Sequence, residues 1–309
     1  MNIDENVAGC CGEIVPEQVD YFNPIIMAQH VEYKFAHILD KALESVFGYI
    51  TVLPGAFSAY RWSVIDGKPL WEDYFHSLKN PQEMDCFTSN VYLAEDRVLC
   101  LSIVATPEEK YKLRWIKESK AKTDVPDDFQ KLLAQRRRWI NGSWHALVSN
   151  LREFNDIKHT KHECCKKFAL RFQFIYFLLN VVASWFMVGA LFLLLELMLR
   201  EVFMAVWDES QNDIWVNSQF LTTLYVCLLM LTFILSIGVQ VSRVENIFKF
   251  LMNAYGLYMI LMIIIMVFFM LDTMGTFNWL QNIAIVTIGI FAVTIIAHRE
   301  VINILRGIL

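Results

Sequence analysis

The sequence lacks several short motifs that would assign a function directly. It contains no glycine-rich phosphate loop and no D-x-D pair of the kind that binds a metal–nucleotide complex. Its seven cysteines include no C-x-x-C pair. Four of them form two adjacent doublets, Cys10–Cys11 and Cys164–Cys165, and adjacent cysteines are poorly placed to bind a metal or to form a disulfide. Basic residues are not in excess either, with 27 against 32 acidic ones, which argues against a nucleic-acid partner.

The first residues also lack the features of a secretory leader. The opening string "MNIDENVAGC" has no apolar core, so we expect no signal peptide in it. A cytosolic first half would keep its cysteines reduced, and we interpret them as structural.

Apolar residues are abundant and are concentrated in the second half. They make up 56% of the chain, and the mean hydropathy of +0.38 is typical of a membrane protein. Four stretches without a charged side chain are each long enough to cross a bilayer: 172–195, 219–242, 250–271 and 273–297. The sequence therefore predicts a multi-span α-helical transmembrane region over residues 172–309.

Flanking charges predict the orientation of these spans. A basic juxtamembrane segment, 151–171, precedes the first span, and acidic residues dominate the loop that follows it. Arg243 and Lys249 then follow the second span, and Arg299 and Arg306 follow the fourth. Because basic loops remain on the cytosolic side, the soluble first half should be cytosolic.

Residues 1–150 carry mixed helix and strand signals, which predict an α/β fold. Apolar residues three or four apart from Met27 to Val46 predict a helix that Gly48 ends. Three strands are expected: one that stops at Pro54–Gly55, one at "VLCLSIVA" and one at "KYKLRWIKES". A second helix follows "TDVPDDF" and continues to about Asn150. Three strands are few for a complete enzyme, so we expect this domain to be part of a larger one.

Two adjacent carboxylates followed by an arginine form the first possible site. Glu95, Asp96 and Arg97 lie just before the predicted apolar strand at "VLCLSIVA". Catalytic groups of α/β sheets often lie at strand ends. Taken alone, the tripeptide is so common that an ordinary acidic loop is the better interpretation.

The string "QRRRWING" is the second possible site. On a helix, Gln135, Arg138 and Trp139 would share one face. An arginine fork suits phosphate oxygens, an indole suits the apolar face of a sugar, and a glutamine can bind hydroxyls. The alternative is a cluster of positive charge that orients the membrane spans, with a packed tryptophan.

A turn at "PGAFS" is the third possible site. Gly55 and the small side chains of Ala56 and Ser58, on either side of Phe57, would let the backbone approach a ligand closely. The alternative is a simple turn at the end of a strand.

Taken together, these strings resemble fungal-type chitin synthases, which are processive inverting enzymes of glycosyltransferase family 2. The resemblance is close over about residues 6 to 200 and rests on "NVAGCCGEI", "LDKALESVFGYITVLPGAFSAYRW", "YLAEDRVLC" and "TDVPDDFQKLLAQRRRWINGSW". It implies part of a GT-A-type glycosyltransferase domain. The chain departs from the family in lacking the upstream nucleotide-binding half, with its D-x-D region, and the downstream "WGTKG"-like segment.

The resemblance also implies roles for the residues of these strings. Asp96 would be the general base, with Glu95 and Arg97 beside it in the catalytic motif. The substrate-binding residues would be Gln135, Arg137, Arg138 and Trp139, the turn residues Gly55, Ala56, Phe57 and Ser58, and Glu13 of "GEI". Mg²⁺ or Mn²⁺ would be bound by ligands upstream of this chain.

The implied substrates are UDP-N-acetylglucosamine and a growing chitin chain, handled at the plasma membrane by a multi-pass protein that is a homodimer in this family. Two alternatives remain. One is a related processive synthase that makes hyaluronan or cellulose. The other is a membrane protein without activity, because the donor-binding half is absent from the chain.

Overall fold

A three-stranded sheet forms the centre of the first half of the molecule. The computed structural model describes residues 3–17, 20, 23–75, 85–206, 211–239 and 243–272. The strands are β1 (Val7–Pro16), β2 (Ser58–Tyr60) and β3 (Lys112–Thr123), in the order β2-β1-β3. Strand β1 pairs antiparallel with β2 and parallel with β3, so the fold is mixed α/β.

The central strand, β1, is absent from the sequence-based prediction. Its string "VAGCCGEIVP" is buried along most of its length. A strand buried on both faces shows no alternation of polar and apolar residues, and its two glycines weaken the strand signal further. This explains why the pattern gave no indication of it.

The predicted first helix is confirmed, although it is not uniformly α-helical. It consists of α1 (Pro24–Phe35), a π-helical segment (Ala36–Lys41) and α2 (Ala42–Phe47). The side chain of Asn23 caps its start by accepting a hydrogen bond from the amide of Ile25 at 3.0 Å. Gly48 ends it in the left-handed conformation, with φ of +74°.

The strand predicted before Pro54–Gly55 is wrong, because the strand of this region, β2, follows that turn. Residues 49–53 form no ladder with a neighbouring strand. The amide of Thr51 instead donates to the carboxylate of Glu44, and the amide of Leu53 donates to the thiol of Cys100. Side-chain acceptors thus replace the strand partner.

The strand predicted at "VLCLSIVA" is also wrong, because these residues belong to α5 (Glu95–Val104). The helix is buried on several sides, and five of its ten residues are apolar and buried. A short, continuous apolar run of this kind gives the same pattern for a buried helix and a buried strand. Glu95 and Asp96 therefore lie in the first turn of a helix and not at the end of a strand.

Short helical segments connect these elements. They are α3 (Trp62–Ile65), a π-helical segment (Pro69–Tyr74) and α4 (Cys86–Tyr92). The predicted third strand and second long helix are confirmed as β3 and α6 (Phe129–Glu153), and the helix starts at the capping residue Asp128. A 3₁₀ segment (Phe154–His159) follows α6.

The described residues divide into two compact units, one up to Leu179 and one from Asn180 onward. The hydrophobic core of the first unit includes buried side chains from the segment after Gly48, from α5 and from the start of α7 (Cys164–Val206). Its largest fully buried side chains include Tyr49, Phe174, Ile50, Leu53, Leu101 and Ile103.

Three long helices contain three of the predicted membrane spans. They are α7, α8 (Gln211–Gly238) and α9 (Glu245–Asp272), and each has a stretch long and apolar enough to cross a bilayer: Cys164–Met187, Gln219–Ile237 and Glu245–Ile265. The predicted fourth span, 273–297, lies outside the described residues. In the second unit, α8 contacts α9 through stacked rings of Tyr225 and Tyr258, 5.3 Å apart.

Candidate glycosyl-transfer site

The start of α5 lies directly against α6, which brings two of the predicted motifs together. A β-carbon on Gly142 would lie 3.0 Å from the Cβ of Ala94 and 3.2 Å from the carbonyl group of Leu93. Ala94 is the residue before Glu95, and Gly142 is three residues after Trp139. The start of the E-D-R helix and the Q-R-R-R-W helix therefore meet at a close contact in which any side chain larger than glycine would be crowded.

Asp96 lies in the first turn of α5 and is half-buried. Burial raises the pKa of its carboxyl above the usual 3.8, while Arg97 acts in the opposite direction and Glu95 adds to the rise. A carboxylate with a raised pKa is a stronger base than an exposed one. This is the property that proton abstraction from a hydroxyl requires.

A buried lysine beneath this region was not singled out from the sequence. Lys41 is 7% exposed, and its Nζ donates to the carbonyl of Val52 at 2.6 Å. Its positive charge also lowers the pKa of both Asp96 and Cys100, against the larger effect of their burial. Its burial could have been predicted from the sequence, because Lys41 lies three residues after Ile38 and therefore on the apolar face of the predicted helix.

A cleft of about 370 Å³ opens beside Glu95. Carboxylates and aromatic rings dominate its lining, which consists of Glu72, Tyr74, Phe87, Thr88, Val91, Tyr92, Glu95, Val98, Ser149 and Glu153. Rings and carboxylates are side chains that bind the apolar faces and the hydroxyls of sugars. Glu95 thus faces a cleft whose chemistry suits a saccharide.

The three consecutive arginines of α6 have different environments. Arg136 makes two hydrogen bonds of 2.6 Å to the carboxylate of Glu32, and its guanidinium lies 4.6 Å from the ring centre of Trp139. Arg137 and Arg138 are exposed, and none of the ion pairs found in the described part of the chain involves them. Arg136 therefore links α6 to α1, whereas the other two guanidinium groups face solvent.

Trp139 and Gln135 lie one turn apart on the same helix. Trp139 is 41% exposed, and its ring lies 6.5 Å from that of Tyr33 in a tilted contact. Gln135 is half-buried, and its Oε1 atom has no hydrogen-bond partner within the described ranges. The confirmed helix places these side chains as predicted, and their binding roles remain predictions.

In the "PGAFS" turn, Phe57 is held by a hydrogen bond and by packing, whereas Gly55 and Ala56 are exposed to solvent. The amide of Phe57 donates to the carbonyl of Pro54 at 3.0 Å, while Gly55 and Ala56 are exposed. A β-carbon on Gly12 would lie 2.3 Å from the ring atom Cε1 of Phe57, so this ring lies directly on the backbone of β1. Ser58 begins β2 and pairs with Cys11, which leaves Gly55 and Ala56 as the open part of the turn.

Glu13 is 2% exposed and lies between two lysines. It forms ion pairs with the buried Lys34 of α1 and with Lys120 of β3, the second at 3.0 Å. Burial opposes its ionisation, but the hydrogen bonds from the two lysines prevail and lower the pKa of its carboxyl. Because each carboxylate oxygen is bound by a lysine, the geometry favours a structural role for Glu13 over contact with substrate.

The described residues offer no cluster that fits a divalent metal. Across the described ranges, no group of three or more His, Cys, Asp or Glu side chains is close enough to bind one.

Comparison with known families agrees with this geometry. The family model of the chitin synthase-like glycosyltransferase domain matches residues 1–154, a range that contains the sheet, α5 and α6. The α/β unit is thus similar to a glycosyltransferase domain, and the apolar helices that follow indicate membrane association. Within this class, the chain belongs to the chitin synthase family.

Three relatives illustrate the similarity. Chitin synthase 7 of Cryptococcus neoformans var. grubii is 39% identical over 251 residues, and chitin synthase 1 of Mycosarcoma maydis is 39% identical over 250 residues. These matches cover 76% and 75% of this chain. Chitin synthase 1 of Saccharomyces cerevisiae is 35% identical over 301 residues, or 96% of this chain. The chain spans about a quarter of the length of these relatives.

Proposed function

We propose that this chain forms the acceptor side and the membrane path of a chitin synthase. The observation that carries the proposal is the contact between Gly142 and Ala94, which joins the E-D-R and Q-R-R-R-W motifs in one place. The match of residues 1–154 to the chitin synthase-like domain supports it. The domain would be of the GT-A type, completed by a nucleotide-binding segment that is not in this chain and that would supply the ligands for Mg²⁺ or Mn²⁺.

In the proposed reaction, Asp96 accepts the proton of the 4-hydroxyl of the terminal N-acetylglucosamine. The hydroxyl oxygen then attacks the anomeric carbon of UDP-N-acetylglucosamine from the face opposite UDP, which converts an α-linked donor into a β-1,4 link. The bond to the diphosphate breaks, and UDP leaves with the electron pair. The raised pKa of the Asp96 carboxyl supports its assignment as the base.

The exposed arginines would stabilise the leaving diphosphate. Arg138 has the main role in this proposal and Arg137 assists, since both guanidinium groups are exposed while Arg136 is bound to Glu32. Negative charge grows on the diphosphate as the bond breaks, so a fixed cation lowers the barrier. Trp139 would stack against the acceptor sugar, Gln135 would donate a hydrogen bond near it, and Gly55 and Ala56 would line its path.

The polymer would leave through the membrane. A polar glycan does not partition into lipid, so the spans after Cys164 would line its path. The basic residues before the first span favour a cytosolic position for the first half. In this proposal the protein is a multi-pass plasma-membrane synthase, assembled as a homodimer as the family resemblance implies.

A chimera tests the function. The chain would replace the matching segment of chitin synthase 1 of Saccharomyces cerevisiae, which covers 96% of it, in a host without chitin synthase activity. Membranes supplied with radiolabelled UDP-N-acetylglucosamine should then form polymer that chitinase digests. Polymer resistant to chitinase would indicate a hyaluronan- or cellulose-type synthase, and absence of polymer would contradict the proposal.

The chain on its own provides the matching control. Expressed alone, it should insert in membranes with its first half cytosolic and transfer no sugar, because positioning of the donor supplies much of the rate of a two-substrate reaction. Chitinase-sensitive polymer from the chain alone would show that no further donor-binding segment is needed.

A further inference from the structure

Tyr49 is a buried residue that forms hydrogen bonds with two helices. It is 1% exposed and directly follows Gly48. Its hydroxyl accepts a hydrogen bond from Nδ2 of Asn150 at 3.1 Å, and its backbone carbonyl accepts one from Nε2 of Gln173 at 2.9 Å. One residue thus links the segment before the "PGAFS" turn to α6 and to α7.

Gln173 is an unusual residue for its position in the first membrane helix. It lies within the apolar stretch Cys164–Met187 and is nevertheless only 3% exposed. Polar side chains in such stretches are costly and frequently functional. In this molecule the amide of Gln173 donates to the backbone of the α/β unit, so this part of α7 is bound to that unit.

Aromatic packing reinforces the two hydrogen bonds. The ring of Phe174 stacks on that of Tyr49 at 5.3 Å and contacts the ring of Phe154 at 4.6 Å. Leu170 is fully buried, while Phe172 is 57% exposed. One face of α7 therefore packs on the domain over its first turns, and the opposite face is left uncovered.

The position of Asn150 connects this cluster to the candidate site. Asn150 is 3% exposed and lies on α6, eleven residues after Trp139. Eleven residues correspond to about three helical turns, so the two side chains share one side of the helix. On the other side of Tyr49, Pro54 starts the "PGAFS" turn only five residues later.

We propose that Tyr49, Asn150 and Gln173 form a positioning cluster that fixes the candidate transfer site relative to the first membrane span. The inference rests on the proposed function. A processive synthase must keep the end of its polymer aligned with the membrane path after every transfer. A loosened cluster would let the end of the polymer leave the path between transfers, while the chemistry of each transfer would be unchanged.

The test compares polymer length with the rate of transfer in the chimera described above. The variants are Tyr49→Phe, which removes only the hydroxyl, Asn150→Leu and Gln173→Leu. We expect polymer several-fold shorter, with the initial rate of UDP release and the KM for UDP-N-acetylglucosamine within about twofold of the unaltered chimera. The double variant Tyr49→Phe/Asn150→Leu should be no worse than the more affected single variant, because both changes remove one hydrogen bond.

Two exposed positions serve as matched controls. Asn155→Leu removes an exposed amide on the 3₁₀ segment that follows α6, and Phe172→Leu changes an exposed ring on α7. Both should leave polymer length unchanged. A fall of rate and length together, or shorter polymer from the controls as well, would indicate ordinary structural damage and overturn the inference.

A second readout does not depend on activity. Hydrogen exchange is measured on the intact 309-residue chain in detergent, in peptides that contain residues 48–53. Gln173→Leu should speed exchange there roughly five- to tenfold, the usual effect of one lost hydrogen bond, and Phe172→Leu should not. If the chimera makes no polymer, the proposed function fails, and the exchange experiment still decides: unchanged exchange in Gln173→Leu would overturn the cluster.

Discussion

The backbone of Gly142 on α6 lies close to Ala94 at the start of α5, so that a β-carbon added to Gly142 would lie 3.0 Å from the Cβ of Ala94. This contact fixes the distance between the two motifs that the proposed chemistry requires. Neither motif would be effective alone, because the base and the cation act on the two sides of one displacement: the base on the attacking hydroxyl and the cation on the leaving diphosphate. The contact is therefore the first feature to test by mutation.

We predict that Gly142→Val separates the two helices. Any β-carbon at this position crowds Ala94 and the backbone of Leu93, and overpacking of this kind typically costs about 1–3 kcal/mol. Thermal unfolding of the purified chain should show the loss, and transfer by the chimera should fall with it. The control is Ala134→Val, a β-branched substitution at an exposed position of the same helix. Equal effects of the two substitutions would contradict the contact.

We predict a pH dependence that follows the ionisation of Asp96. The base must be ionised, and burial raises its pKa above 3.8, so the rate of transfer should fall with decreasing pH at a midpoint above 3.8. The other ionisable groups that act on this carboxyl are Glu95, Arg97 and Lys41, and the neighbouring phenols are Tyr60 and Tyr74.

Substitutions of Lys41 test whether the midpoint of the pH profile belongs to Asp96. Its ammonium lowers the pKa of Asp96, so Lys41→Met should move the midpoint to higher pH and Lys41→Arg should move it less. The measurement is the pH profile of kcat in the chimera. A midpoint that is the same in all three proteins would exclude Asp96 as the titrating group.

We predict that charge alone does not replace the guanidinium of Arg138. A lysine keeps the positive charge but cannot form the bidentate contact with the diphosphate, so Arg138→Lys should lower kcat by about 100-fold or more. Arg137→Lys should have a smaller effect. If both variants match the unaltered chimera, the arginines only orient insertion into the membrane.

We predict that Trp139 acts through its ring. Trp139→Phe retains part of the stacking surface and should keep more activity than Trp139→Ala. The comparison is made as kcat/KM for an acceptor oligosaccharide. Equal losses in the two variants would indicate that the indole only packs against Tyr33 and Arg136.

We predict that Glu13 stabilises the fold. Glu13→Gln removes the negative charge from the ion pair with the buried Lys34, and breaking a buried ion pair in this way typically costs about 3–5 kcal/mol. The pKa of Glu13 is lowered on folding, so its contribution is present above about pH 4.5 and is lost as the pH falls through its lower folded value. Chemical unfolding of the chain measures the change.

Two further variants test the same ion pair. Glu118→Gln, at an exposed position of β3, should leave stability unchanged. The double change Glu13→Met/Lys34→Met should recover much of the loss, because it removes both buried charges together. A single Glu13→Gln variant as stable as the original would show that the ion pair contributes nothing.

Features with a regular period or a clear cap could be predicted from the sequence. The helix that ends at Gly48, the helix that starts after Asp128 and the alternating strand β3 are of this kind. The predicted strand at "VLCLSIVA" was wrong, because the buried apolar residues of α5 lie on several sides of the helix. The sequence therefore shows no helical period of apolar residues. Glu95 and Asp96 could have indicated a helix here, since acidic residues favour the first turn of a helix.

The motifs of the candidate site could also be located from the sequence, but their surroundings could not. Long-range packing decides that Phe57 lies on Gly12, that Glu13 binds two lysines and that Arg136 binds Glu32. Lys41 and Tyr49 belong to the same category. The sequence shows both residues but not their neighbours. Only the fold shows that Lys41 lies near Asp96 and that Tyr49 contacts the first membrane helix.

Asp96→Asn in the chimera tests the central claim most directly. The amide keeps the shape of the side chain and loses its basicity, so polymer synthesis from radiolabelled UDP-N-acetylglucosamine should be abolished while the donor still binds to the membranes with unchanged affinity. Loss of both binding and synthesis would indicate a damaged fold, and near-normal synthesis of chitinase-sensitive polymer would show that Asp96 is not the base.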